Sequence, residues 1–167
     1  MRHLTTLAIV PIALLSALPA QAQMVTISPE QIGQIFCIGS LGNDMAPVEA
    51  LLTPDLSAAI ADAWVKDAQA ESANPGDKPP LGDGIPWRTY PDYADGCEAF
   101  EGLTDADLAF VEISYSFASE PSANYTNTLV LKPIVVTEGM EPFWRIDDVD
   151  LGEGRSLRQA LVEAFEQ

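Results

Sequence analysis

Two kinds of hydrophobic spacing divide this chain, and they do not mix. Three- and four-residue spacing runs through residues 29–72, whereas two-residue alternation begins only after Cys97. Helices first and strands afterwards is the order of an α+β domain. The expected architecture is a set of N-terminal helices packed on a curved antiparallel sheet of about four strands, closed by a C-terminal helix.

The helix boundaries are written in local chemistry. Ser28-Pro29-Glu30-Gln31 supplies an N-cap serine, a proline at the first helical position and a glutamine three residues on, which predicts a helix over 29–40. Ile32, Ile35, Phe36 and Gly39 share one face, and Gly39 and Gly42 would let this helix stop or approach a neighbour closely. Asp44 can cap a short piece through 48–52. Thr53-Pro54-Asp55 then starts the longest helix, over 54–72, with Leu56, Ile60, Trp64 and Ala68 at four-residue spacing. Ser156-Leu157-Arg158-Gln159 repeats the capping box, and Leu157, Leu161 and Phe165 form the stripe of a closing helix over 156–167.

Strand alternation appears over 98–103, 108–117, 128–137 and 143–149. Val111, Ile113, Tyr115 and Phe117 form one face of the second, against Glu112, Ser114 and Ser116. In the third, Leu129, Leu131 and Val135 face one way, and Pro133 implies a bulge or an edge position because it cannot donate to a ladder. Residues 138–141 turn the chain into the last strand, where Trp144 and Ile146 point inward and Phe143, Arg145 and Asp147 outward. Glu112, Lys132 and Arg145 then suggest a cross-strand charge ladder.

Residues 1–22 read as a signal peptide: Arg2, an apolar run over 4–18, and Ala20-Gln21-Ala22 as a cleavage site. Removal leaves 23–167 as a single α+β domain, periplasmic or secreted, with no membrane span in prospect. Arg2 departs with the leader, so seven basic residues face 25 acidic ones, a net charge of −18. Nucleic acid is disfavoured as a partner because its recognition needs clustered positive charge. The single histidine, His3, lies in the leader, which excludes Ser-His and Cys-His nucleophile pairs and imidazole-based zinc sites from the remainder. No cofactor or metal is expected. Cys37 and Cys97 are the only cysteines, and in an oxidising compartment they predict a structural disulfide, with two buried thiols as the alternative.

Residues 74–86 are rich in proline, glycine and aspartate, a loop long enough to be either functional or mobile. The segment behind it gathers Trp87, Arg88, Tyr90 and Tyr93, the densest candidate contact segment in the chain. Its other reading is an irregular crossover whose aromatics plug the end of the core. Phe36, Trp64, Tyr115, Phe117 and Trp144 are candidate core or cavity residues, and for Trp64 the core is preferred over a ligand cavity. Asp147, Asp148, Asp150 and Glu153 form the densest carboxylate cluster. Their spacing fails the calcium-loop pattern, so they read as a solvated strand end, with one aspartate accepting backbone bonds at the mouth of the last helix. Gly82-Asp83-Gly84 lacks the lysine of a phosphate loop, and Ser114 and Ser116 lack a partner base.

The element order, with Leu51-Leu52-Thr53-Pro54, the Trp-Arg-Ile-Asp-Asp-Val run from Trp144, and Ser156-Leu157-Arg158, resembles exported bacterial proteins of the domain of unknown function 3828 family. That resemblance implies a cystatin-like or nuclear-transport-factor-2-like α+β cone, and it brings no catalytic residues with it. The function expected is a non-catalytic exported domain that binds a partner protein or a small apolar ligand. A cone-fold isomerase or hydro-lyase using Asp and Tyr, and an inhibitor or immunity-type protein, stand as alternatives.

Overall fold

The computed structural model describes residues 26–105, 107–135 and 143–166. The leader at 1–22 and the turn at 138–141 lie outside the described residues. Helices α1 (Pro29–Gly42), α2 (Ala46–Glu49) and α3 (Pro54–Ala73) precede strands β1 (Gly96–Thr104), β2 (Ala109–Ser116), β3 (Tyr125–Ile134), β4 (Phe143–Gly152) and β5 (Arg155–Ser156), and α4 (Leu157–Glu163) follows. The strands pair in chain order as one antiparallel sheet. The fold is therefore α+β, with five strands rather than four, because the two residues that lead into α4 add a short rung against Asp150 and Gly152.

Each helix begins where its capping residues stand. Ser28 and Gln31 form the reciprocal box of α1, Thr53 accepts from Leu56 N–H at the start of α3, and Ser156 and Gln159 repeat the box at α4. The end of α1 differs from expectation. It runs to Gly42, past the expected end at residue 40, and Asn43 in the left-handed region at φ 51° closes it. Gly39 approaches its neighbours closely as expected, an added Cβ lying 2.9 Å from Asp44 O, and the closest approach of α1 falls at Gly33, where a Cβ would lie 2.6 Å from Val111 Cγ1 and 2.8 Å from Ala99 Cβ. The helix backbone thus rests directly on β1 and β2.

The core lies between the helices and one face of the sheet. Ile32 and Phe36 of α1, Leu56 and Ile60 of α3, and Leu157 and Leu161 of α4 meet Val111, Ile113, Leu129, Leu131 and Ile146 there. The Cys37–Cys97 disulfide ties α1 to β1 across a separation of 60 residues, with the Cα atoms 5.4 Å apart. Closing a loop of that length stabilises the fold by about 4 kcal/mol in the chain-entropy picture.

Pro133 sits where its missing N–H does no harm. The pairing of β2 with β3 ends at Leu131, so residues 132–134 bond only to β4 and form a local edge. Val135, expected inside, is exposed just beyond that edge. The far edge of β4 is covered twice: β5 pairs at one end, and at the other Leu52 forms a parallel bridge to Ile146, with Ile146 N–H donating to Leu51 O and Thr53 N–H to Ile146 O, both at 2.8 Å.

One feature of β4 overturns the expected assignment of faces. The register against β3 slips between Val130 and Leu131, which pair with Asp148 and Ile146, so Asp147 is an inserted bulge residue. The bulge changes the parity of the strand, and Val149 and Leu151 continue the inward face that Ile146 began. Asp147, expected outside, is only 8% exposed. The expected charge ladder does not form among Glu112, Lys132 and Arg145. Lys132 lies opposite Arg145, Glu112 lies opposite Thr128, and Lys132 reaches Asp147 at 2.7 Å instead.

Trp64 is a second correction. The buried stripe of α3 is Leu56, Ile60, Ala63 and Asp67, which steps by four, three and four residues. That stripe follows the 3.6-residue turn, whereas uninterrupted four-residue steps drift off it, and Trp64 is left 46% exposed. Of the other aromatics proposed for the core, Phe36 and Tyr115 are fully buried, and Phe117 and Trp144 pack against it half-buried.

Candidate functional site

The segment between α3 and β1 is long, but it is tied to the body at two points. Asp67, on the buried stripe of α3, accepts from Leu81 N–H at 2.8 Å, and the Leu81 side chain is buried behind that bond. Further on, Thr89 turns toward the sheet. Its hydroxyl donates to Leu151 O, it accepts from Asn127 Nδ2, and its N–H donates to Asn127 Oδ1 at 3.3 Å. Asn127 is itself buried on the inner face of β3. With Thr89 held inward, Arg88 and Tyr90 flank it on the wall of a cleft.

That cleft has a volume of about 1040 Å³ and lies between the C-terminal ends of α1 and α3, residues 78–93, and the far end of α4. Trp87, Arg88, Tyr90 and Tyr93 all line it. Trp87 packs edge-on against Phe36 at 6.3 Å, which joins this wall to the core. The guanidinium of Arg88 donates to Pro91 O at 3.1 Å and Asp92 O at 3.4 Å, and its central carbon stands 5.4 Å from the centre of the Tyr93 ring. Two carbonyls and one aromatic face therefore hold its orientation.

Behind the wall the tyrosines continue into the sheet. Tyr90 meets Tyr125 edge-on at 5.1 Å, and Tyr125 stacks on its cross-strand partner Tyr115 at 4.8 Å. The Tyr115 hydroxyl is hydrogen-bonded to Ser40 Oγ at 3.0 Å, and burial pushes its phenol up to about 12 despite that bond. Burial also pushes the Tyr125 phenol up, and among the described residues its hydroxyl is the buried side-chain atom left without a hydrogen-bond partner. Phe117 adds a ring at 6.2 Å from Tyr125. None of the five aromatics proposed for the core or a cavity, Phe36, Trp64, Tyr115, Phe117 and Trp144, lines this cleft itself.

Several residues that build the site carry no distinguishing signal in the sequence. Thr89, Asn127 and Asp67 act through bonds to residues 14 to 62 positions away, which linear spacing cannot reveal. Arg155 and Phe165 reach the cleft only because α4 folds back beside α3. The one available hint was compositional: an arginine set among aromatics behind a loop.

The carboxylate cluster of β4 does structural work away from this cleft. Asp147 binds Thr53 Oγ1 at 2.9 Å, Lys132 Nζ at 2.7 Å and Arg158 Nη2 at 2.8 Å, joining α3, β3, β4 and α4. Burial alone would raise its carboxyl, but the bonds from Lys132 and Thr53 and the charge of Arg158 outweigh that and hold it below the usual carboxylate range. Asp148 accepts from Arg158 N–H at 3.1 Å in the first turn of α4, the bond expected of one member of this group. Asp150 accepts from Gly152 N–H.

The fold and the cleft together define a disulfide-linked α+β protein in which, among the described residues, no helix is long and apolar enough to cross a membrane. No family model matches the chain, and no curated protein or solved structure matches it either.

Proposed function

We propose that this chain is an exported, non-catalytic binding domain of the cone-like α+β type, with its ligand site in the cleft walled by residues 78–93. The observation that carries this reading is the Thr89 anchor, which holds Trp87, Arg88, Tyr90 and Tyr93 on one wall before any ligand arrives. A preorganised wall lowers the entropy cost of binding. Export is supported by the leader sequence and by the disulfide.

Binding is favoured over catalysis by the chemistry of the cleft. Its carboxylate, Asp83, is exposed and paired to Lys78 at 3.1 Å, and the nearby Tyr115 holds its proton up to about pH 12, far from the working range of a general base. A protein partner is the second reading, and its support is different: β1 is an open edge strand with Phe100 and Leu103 exposed on it.

The test is a fragment screen followed by amide chemical shifts on the ¹⁵N-labelled mature protein. The proposal expects shifts that cluster on Ser40, Trp87, Arg88 and Tyr93 and are lost in Tyr93→Ala. Shifts clustered on 96–104 would support the edge strand instead, and no clustered shifts would end the proposal.

A further inference from the structure

The charge on the cleft runs against the charge on the chain. There are 25 acidic residues against eight basic ones in the whole sequence, yet the cleft is lined by Lys78, Arg88 and Arg155 and by only one carboxylate, Asp83. Three cations against one anion give a formal +2. The ends of α1 and α3 also reach the cleft, and each contributes roughly −0.5 of a charge. Glu163, which lies outside the lining but pairs Arg155, brings this sum close to zero, so what distinguishes the cleft is which cation lacks a carboxylate of its own.

That cation is Arg88. Lys78 is paired to Asp83 at 3.1 Å and Arg155 to Glu163 at 3.2 Å. Among the described residues Arg88 has no carboxylate partner; it is held by the two carbonyls and the Tyr93 ring, all neutral. A guanidinium has five N–H donors, and two are engaged here. The remaining donors can meet the two oxygens of a carboxylate in the parallel pair that a planar fork favours. Arg145 also lacks a carboxylate partner among the described residues, but it donates to Trp144 O, stands 5.9 Å from the Phe143 ring and does not line the cleft.

We infer that the cleft takes a small organic monoanion, a carboxylic acid with an aromatic or apolar body, its carboxylate on Arg88 and its body against Trp87, Tyr93 and Phe165. This rests on the reading of the cleft as a ligand site. The net charge of the chain sharpens the ligand class, because the long-range field of a −17 protein repels polyanions such as nucleotides and anionic membranes, while one local cation suffices for a single carboxylate.

The experiment compares phenylacetate, its neutral twin phenylacetamide, the cation phenethylamine and inorganic phosphate, each titrated into the disulfide-intact mature protein. Affinity is read from amide shifts of residues 85–93. Phenylacetate should bind at least tenfold more tightly than phenylacetamide, with phenethylamine and phosphate weaker than either. Arg88→Gln should remove the preference for phenylacetate over the amide, and Arg145→Gln should leave that preference intact. Equal affinity of acid and amide for the unaltered protein would overturn the monoanion while leaving the ligand site standing, and this comparison needs no variant to fold. Stronger phosphate binding would overturn it in favour of a phosphoryl ligand. If none of the four shifts any cleft resonance, the inference and the ligand site both fall.

Discussion

Thr89 and Asn127, 38 residues apart, hydrogen-bond each other in both directions: the asparagine amide donates to the threonine hydroxyl oxygen, and the threonine N–H donates back to Oδ1 at 3.3 Å. This exchange, continued by the Thr89 hydroxyl to Leu151 O, fixes an irregular segment to the middle of the sheet. A polar group buried for that purpose costs free energy when its partner is removed. Thr89→Val should therefore destabilise the protein by about 2 kcal/mol. It should also speed amide hydrogen exchange over 86–93 while exchange in β2 and β3 changes only with the global stability. Unaltered exchange in 86–93 would show that the anchor is dispensable.

The Cys37–Cys97 bond joins α1 to the otherwise open edge strand β1. Replacing both cysteines by alanine should lower the unfolding free energy by about 4 kcal/mol, measured by urea titration. Intact mass with and without reductant should differ by two hydrogens in the unaltered protein. An identical mass in both conditions would contradict the bond.

Asp147 predicts an acid limit. Its carboxyl is held below the unfolded value, so the stabilisation it contributes is present above the unfolded value near 3.8 and is lost as pH falls through the lower folded value. Asp147→Asn, which keeps the shape but loses the charge facing Lys132 and Arg158, should cost about 2 kcal/mol at pH 7 and progressively less below pH 4. Thermal midpoints of the two proteins at pH 7 and pH 3 check this; a constant gap between them would show that the charge is not what matters.

Gly33 predicts a limit on packing. A Cβ there meets Val111 Cγ1 at 2.6 Å and Ala99 Cβ at 2.8 Å, with Ile113 Cδ1 behind at 3.4 Å, so α1 must move off the sheet to accept it. Gly33→Ala gains helix propensity of about 1 kcal/mol and loses about 1–3 kcal/mol to overpacking, so the net effect should be destabilising. Gly42→Ala, where a Cβ meets nothing within 4 Å, should gain the propensity without the clash. Equal responses at the two positions would remove the close approach as an explanation.

Sequence by itself determined the elements and their order. The boxes at Ser28 with Gln31 and Ser156 with Gln159, the Thr53 cap, and the alternation through Val111, Ile113 and Tyr115 act between residues at most four apart, and such interactions survive without knowledge of the rest of the chain. Only the tertiary structure decided which faces those elements bury and what the irregular segment does. The bulge at Asp147 arises from pairing with β3, reverses the inward side of β4 and turns an expected surface aspartate into the junction of four elements. Trp64 lost its place in the core to a stripe one position away, because the helix turns through 3.6 residues and the sheet beneath it accepts only one face. The aromatic segment from Trp87 to Tyr93 was visible as composition, but its convergence on one cleft depends on Thr89 reaching Asn127 and Leu151. Contacts between residues so far apart in the chain exist only once the sheet has formed.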